Sequence, residues 1–249
     1  MMTESAQDVP QRPAGAPSAQ GLYHPAFEHD ACGVGFVCNL KGAPSHDVIH
    51  KALEILVNLS HRGACGCDEK TGDGAGILMQ LPHRFLVEKA GEAGLKLPGE
   101  KEYGAGLVFL PRDAKEREFC IKTFEDVVRS EGQQVIGWRN VPVHNEVLGD
   151  IARKVEPFIA QVFIAAGKGI TDAQHFERKL FVIRKVLERT IRESNLREKK
   201  YFYIPSLSCN TMIYKGLLLA DQIEPFFPDL ADPSMSSALA LVHQRYSTN

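Results

Sequence analysis

Cys32 stands in Asp30-Ala31-Cys32-Gly33-Val34-Gly35-Phe36, where a polar leader gives way to an apolar run. Cleavage of the Ala31–Cys32 bond would make this cysteine residue one. Its own α-amine could then serve as the base for its own thiol, so that nucleophile and base belong to one residue. A free α-amine has an ordinary pKa of about 7.7–8.0, close to working pH, so it can take the thiol proton. Gly33 and Gly35 leave little bulk beside the sulfur, which predicts close approach of a ligand. Taken alone, the segment reads more simply as a buried cysteine in a glycine-containing strand, because free cysteine mostly behaves as a small hydrophobe.

Two further segments could do chemistry. The loop His61-Arg62-Gly63-Ala64-Cys65-Gly66-Cys67-Asp68 runs on to Thr71-Gly72-Asp73-Gly74-Ala75-Gly76. Its glycines allow unusual backbone angles and close approach. Cys65 and Cys67 invite a metal reading, but no second cysteine or histidine pair follows at zinc-finger spacing. The loop mimics a phosphate cradle without the Gly-Lys-Ser/Thr ending, so a P-loop is rejected. The last segment is His243-Gln244-Arg245-Tyr246-Ser247-Thr248-Asn249. Arg245, at the end of an apolar strand, could set its planar fork on a carboxylate through two bonds at once. The plainer reading is a solvated edge residue, since Arg is mostly exposed.

Composition narrows the setting. The 249 residues are 44% apolar and 24% charged, with a net charge of −2. That is an ordinary globular balance, and it points to neither nucleic acid nor an anionic membrane surface. No apolar run approaches the ~18 residues of a membrane span. The first 31 residues carry four acids against one Arg and no apolar core segment, which suits neither a secretory signal nor an organelle transit peptide. Six cysteines are too sparse for a disulfide framework. A reducing cytoplasm is the expected compartment, with most thiols buried and inert.

These residues need a scaffold. Residues 1–21, rich in Pro, Ala, Gly, Ser and Gln, read as disordered, and 22–31 as a segment that packs on the domain. A strand is predicted over Cys32–Leu40, then a helix capped by Ser45 and running to about Leu59. Strands follow at 75–81 and 104–110 with a helix between them after Pro82. A helix over 113–130 carries Phe119, Phe124, Val127 and Val128 as its apolar stripe. A buried strand is predicted at 158–165. Thr171 or Asp172 caps the longest helix, where Phe176, Leu180, Ile183, Leu187 and Ile191 recur at helical spacing and Glu188 pairs with Arg192. Strands near 201–207 and 210–219 read as a hairpin pair, and a last strand covers Ala238–Tyr246. Alternation alone would favour a parallel sheet.

Taken together and in this order, the Cys32, His61-Arg62-Gly63, Thr71–Gly76 and Leu241–Asn249 segments resemble the large subunit of glutamate synthase. The resemblance extends from residue 22 to 249 and includes Ser206-Leu207-Ser208 and Ile213-Tyr214-Lys215-Gly216. It lies in that family's N-terminal class II glutamine amidotransferase domain. The resemblance implies an α+β, four-layer αββα N-terminal nucleophile hydrolase fold with largely antiparallel sheets, in place of the parallel sheet. It implies a leader of residues 1–31 removed to expose Cys32, followed by the amidotransferase domain over 32–249. Arg62 matches the Arg that orients the terminal cysteine. Arg245 matches the Arg that binds the substrate α-carboxylate, with Thr248 nearby and Asp73 shaping the pocket rim. The implied reaction hydrolyses glutamine to glutamate and ammonia through a cysteinyl thioester.

In the whole enzyme of this family, ammonia passes to a flavin domain that aminates 2-oxoglutarate. FMN and an iron–sulfur cluster belong to that domain, not to this chain, and no metal is expected here. The implied partners are the remaining domains of the large subunit and a small reductase subunit. The family's oxyanion Asn-Gly pair and the acid that binds the substrate amine fall beyond Asn249, so the fold is expected to be incomplete at that end and the chain alone weakly active or inactive. The competing readings are an amidotransferase domain of another synthetase and a non-catalytic fragment that binds glutamine or a partner.

Overall fold

A computed structural model describes residues 20–21, 33–63 and 68–244 of the chain. The expected leader, its packing segment, Cys32, Cys65, Cys67 and Arg245–Asn249 therefore lie outside the described residues, apart from Gln20 and Gly21. Residues Gly33–Asn249 form one compact unit. In chain order its main elements are β1 (Val34–Cys38), α1 (His46–Asn58), β2 (Ala75–Gln80), α2 (His83–Glu92), β3 (Tyr103–Leu110), α3 (Ala114–Ser130), β4 (Gln134–Asn140), α4 (Asp150–Val155), β5 (Phe158–Ala165), α5 (Ala173–Glu193), β6 (Thr211–Gly216), α6 (Ile223–Phe226) and β7 (Leu239–Gln244).

The strands form two sheets, β1-β7-β2-β6 and β3-β5-β4, and every strand pair is antiparallel. The antiparallel expectation holds. The predicted hairpin between 201–207 and 210–219 does not form. Tyr203 and Ser208 instead exchange backbone hydrogen bonds with Phe109 and Ala105 of β3, at 2.8–3.1 Å, and β6 pairs with β2. One chain segment thus belongs to the β3 edge at 203–208 and to the first sheet from Thr211 on.

Burial follows the strand period of two. One face of the first sheet presents Ile77, Met79, Met212, Tyr214, Ala240 and Val242 to a core shared with α1, α2 and one face of the second sheet. The other face of the second sheet packs against α3 and α5 through Val108, Val162, Phe124, Leu180 and their neighbours. The opposite face of the first sheet is open. Val34 is 41% exposed, Phe36 66%, and Leu239 and Leu241 38% each. Phe36 stands opposite Leu241, and Leu241 opposite Leu78.

Several local expectations are corrected. Ser45 sits at the N-cap of α1, as expected, but its side chain makes no cap bond, and its backbone bridges to Ser237. Of the two predicted caps of α5, Asp172 makes the bond, as expected, and Asp113 caps α3. Phe119 is 47% exposed, and Cys120 takes its place in the α3 stripe. Glu188 pairs with Arg184 at 2.9 Å and Lys185 at 2.8 Å rather than with Arg192, because both face it from the preceding turn. The five-residue α5 stripe is buried as predicted. Strand β4 was missed: Gly137 and the polar ends of Gln134–Asn140 hide its alternation.

One buried charge pair ties the sheets together. Arg139 of β4 donates twice to Asp229, at 2.6 and 2.9 Å, and to Gln161 Oε1 at 3.2 Å. Tyr214 of β6 donates its hydroxyl to Asp229 Oδ2 at 2.8 Å. Asp229 is only 3% exposed. Burial, then the neighbouring carboxylate, pushes the Tyr214 hydroxyl well above its ordinary pKa. Asp229→Ala leaves a guanidinium buried without a counter-charge and should cost about 3–5 kcal/mol in urea unfolding. Adding Arg139→Met should recover part of the loss; no recovery would mean the pair is not the reason for it.

Candidate active site at the strand ends

Described residues that neighbour the candidates in sequence meet at one end of the first sheet. β1 begins just after Cys32, and β7 ends just before Arg245. The Gln244 N–H donates to the Gly33 carbonyl at 2.7 Å, and the register continues as Val34 opposite His243. On its other side Gln244 stands opposite Ala75, two residues after Asp73. Gly33, Gln244 and Ala75 therefore form one row across three strands. Asp73 stands two residues before the Ala75 end of that row; Cys32, Arg245 and Thr248 lie outside the described residues.

Arg62 reaches the same end by another route. Helix α1 packs on β1 and β7 and closes in a 3-10 turn, Ser60–Arg62. Arg62 is half-buried there. Gly63 then passes over the Gln244 side chain so closely that a Cβ at residue 63 would meet Gln244 Nε2. The predicted role of the glycines after Cys32 is corrected by the same measure. A Cβ on Gly33 would strike the Gln244 carbonyl, and one on Gly35 would stand 2.5 Å from Ile55 Cγ2. Protein, not ligand, fills both spaces. Among the described loop glycines, Gly74 (φ +128°) takes a backbone that favours glycine, beside the half-buried Asp73.

The loop is pinned on its far side by Asp68. Helix α4 starts after Gly149, which has no side chain to cap it. Asp68 supplies the cap from a distance, accepting from Ile151 N at 3.1 Å, Thr71 Oγ1 at 2.7 Å and Lys70 N at 2.8 Å. Those bonds hold its carboxyl below its ordinary pKa, the Thr71 bond first. The Asp-x-x-Thr spacing within a glycine-rich loop was the available signal. Beyond the loop, Cys120 and Cys209 are buried, and desolvation pushes both thiols up to about 12, so neither is a nucleophile. Among the described residues no cluster could hold a metal ion, and no helix is long and apolar enough to cross a membrane.

On the open face one residue in from the strand ends runs a second row: Val34, His243, Gly76 and Lys215. A cleft of about 310 Å³ lies over it, lined by Leu78, Ile213 and Leu241 besides. Desolvation, then the Lys215 charge, lowers the His243 pKa below 6.5. The fold thus disfavours the imidazolium, while the unfolded chain takes up that proton freely. Stability that this group supports is present above about pH 6.5 and is lost as pH falls through that value toward the lower folded pKa. Thermal melts at pH 7 and pH 5 should show a smaller acid-induced drop in His243→Gln than in wild type. An equal drop means His243 does not carry this part of the pH dependence.

Comparison with known proteins places this geometry. Residues 32–249 match the family described as glutamine amidotransferases class-II. The chain is 46% identical over 233 residues to the glutamate synthase [NADPH] large chain of Bacillus subtilis, which covers 94% of this chain and 15% of the relative. It is 41% identical over 239 residues to the glutamate synthase [NADPH] large chain of Azospirillum brasilense, with 95% and 15% covered. It is 37% identical over 222 residues to ferredoxin-dependent glutamate synthase 2 of Synechocystis sp., with 89% and 14% covered. The chain thus spans about 15% of the length of such relatives. With a family match that begins at Cys32 and covers every element described above, this chain belongs to the class II glutamine amidotransferases.

Proposed function

We propose that this chain is the glutaminase part of a glutamate synthase and that Cys32, exposed by removal of residues 1–31, is its nucleophile. The observation that carries this reading is the row Gly33–Gln244–Ala75, over which Gly63 closes. It places the residues next in sequence to Cys32, Arg62 and Arg245 against one another at a single strand end. The α-amine of Cys32 takes the thiol proton, and the thiolate attacks the side-chain amide carbon of glutamine. Collapse of the adduct expels ammonia, protonated by the same amine, and leaves a thioester. Water then attacks the thioester, releasing glutamate and regenerating the thiol. Arg62 orients the terminal cysteine. Arg245 grips the substrate α-carboxylate with its fork, Thr248 lies beside it, and Asp73 shapes the rim.

In this reading the released ammonia serves the amination of 2-oxoglutarate elsewhere in the enzyme. FMN and the iron–sulfur cluster belong to that other part, and the remaining large-subunit domains and a small reductase subunit are the partners. The compartment is the cytoplasm. The finer fold reading is the four-layer αββα arrangement. The open apolar face of the first sheet, with Phe36 and Leu241 at its centre, is where a second sheet layer would stack.

Three measurements test the assignment. Intact mass of the purified natural protein should show Cys32 as residue one. A glutamine-analogue electrophile should label Cys32 and inactivate glutaminase turnover, and Cys32→Ala should lose both. Labelling only at Cys65 or Cys67, or nowhere, supports a non-catalytic binding role instead. Arg245→Lys, which keeps charge but loses the planar fork, should raise KM for glutamine about 10- to 100-fold with little change in kcat. An unchanged KM removes Arg245 from the carboxylate site.

A further inference from the structure

We propose that the cleft beside α4 is a binding site for an apolar amino acid, a ligand that carries an ammonium and a carboxylate on one apolar body. The cleft holds about 560 Å³, ample room for such a molecule. Its walls include buried Phe109, Ile159 and Phe226 and exposed Val155, Tyr203 and Leu217. Exposed apolar surface gathered around one concavity marks a place where something binds.

The charges on the walls select the ligand. Glu156 is the one acid among the lining residues, and Lys200 and Lys215 are the cations. Glu156 is half-buried and makes no hydrogen bond or ion pair among the described residues. Its two arginine neighbours are engaged elsewhere: Arg112 donates to the Lys154 carbonyl at 2.8 Å and Arg153 to the Leu148 carbonyl at 3.1 Å. Burial pushes the Glu156 carboxyl above its ordinary pKa, against the pull of both arginines. A carboxylate desolvated in this way gains most from an ammonium that brings its own N–H donors. Lys215 is held at Tyr203, 3.4 Å from its hydroxyl. Lys200 is exposed, lies 5.1 Å over the Tyr201 ring and makes no ion pair among the described residues, so it is the cation placed to take a carboxylate. A simple amine would answer Glu156 but not Lys200, and a simple carboxylate the reverse. A zwitterion answers both, and its apolar side chain covers Phe109, Ile159 and Phe226.

The cleft shares its walls with the supports of the glycine-rich loop. Ala152 and Val155 of α4 line it, and the backbone N–H groups of Ile151 and Ala152 donate to Asp68 Oδ2 at 3.1 Å and to Thr71 Oγ1 at 3.3 Å. Leu218 lines it too, and a Cβ on Gly72 would strike the Leu218 carbonyl. A ligand that packs on these two supports steadies loop residues 68–72. None of this depends on Cys32, so the site stands apart from the nucleophile assignment.

The test is isothermal titration of the natural full-length protein with L-phenylalanine, with 2-phenylethylamine, which lacks the carboxylate, and with 3-phenylpropionate, which lacks the ammonium. Phenylalanine should bind about 10-fold tighter than either, or more, as expected for one hydrogen bond to a charged group. Glu156→Gln should erase the preference over 3-phenylpropionate, and Lys200→Met the preference over 2-phenylethylamine, in variants that thermal melts show to be folded. Hydrogen exchange across residues 68–72 should slow when phenylalanine is added to wild type. Phenylalanine that fails to bind at millimolar concentration, or a singly charged analogue that binds as tightly, overturns the site. So does binding that glutamine displaces and Glu156→Gln leaves intact, which puts phenylalanine in the glutamine pocket instead. Binding with unchanged exchange overturns the link to the loop. Labelling of Cys32 tests the nucleophile separately and moves with none of these outcomes.

Discussion

Everything at this site depends on one register. β7 runs between β1 and β2, and its last residue, Gln244, meets Gly33 on one side and Ala75 on the other. Side chains alternate along a strand, so a slip of one residue would turn Gln244 and Val242 out of the core and His243 into it. The register is locked by burial. Ala240 and Val242 are fully buried, and Gly35 admits Ile55 of α1 where any side chain would collide. Helix α1 is therefore both the weight that seats β1 and the lever that carries Arg62 to the same end.

The long elements were legible because their periodicity is strong. The α5 stripe from Phe176 to Ile191, the buried run of β5 and the alternation in β2 all fell where the pattern put them. The failures have physical causes. β4 carries a glycine and a bulge between Val135 and Gly137, which break the two-residue period. The segment 203–208 has the look of a hairpin partner, but its backbone groups find the edge of β3 first. No local pattern reveals which of two open edges a segment will join. Ser45 takes the N-cap position with the extended backbone a cap needs, but its hydroxyl makes no cap bond.

The site divides in the same way. The candidate nucleophile, arginines and loop stand out in the sequence as residue types in motifs, and the family resemblance orders them. The residues that hold them were not. Asp68 caps a helix more than eighty positions away, and the Gln244 side chain packs under Gly63. Both interactions are made by tertiary approach. The glycines illustrate the limit most clearly. At Gly33 and Gly35 the missing side chain makes room for Gln244 and Ile55, whereas the sequence alone suggested room for a ligand.

An exposed apolar sheet face beside a strand-end site sets the chemistry in a half-open setting. Phe36 and Leu241 form the next row in from the one that holds His243 and Lys215, with Leu239 one row further. A covering layer would dry that row and strengthen every charge interaction at the strand ends. The account stands or falls on covalent chemistry at one sulfur. Rapid acid quench of the processed protein during glutamine turnover, followed by peptide mass mapping, reads it directly. The account predicts a transient glutamyl adduct on the peptide that begins at Cys32 and none on peptides holding Cys65, Cys67 or Cys120. Steady hydrolysis with an adduct on another cysteine, or with none at Cys32 under conditions that trap thioesters, would contradict it.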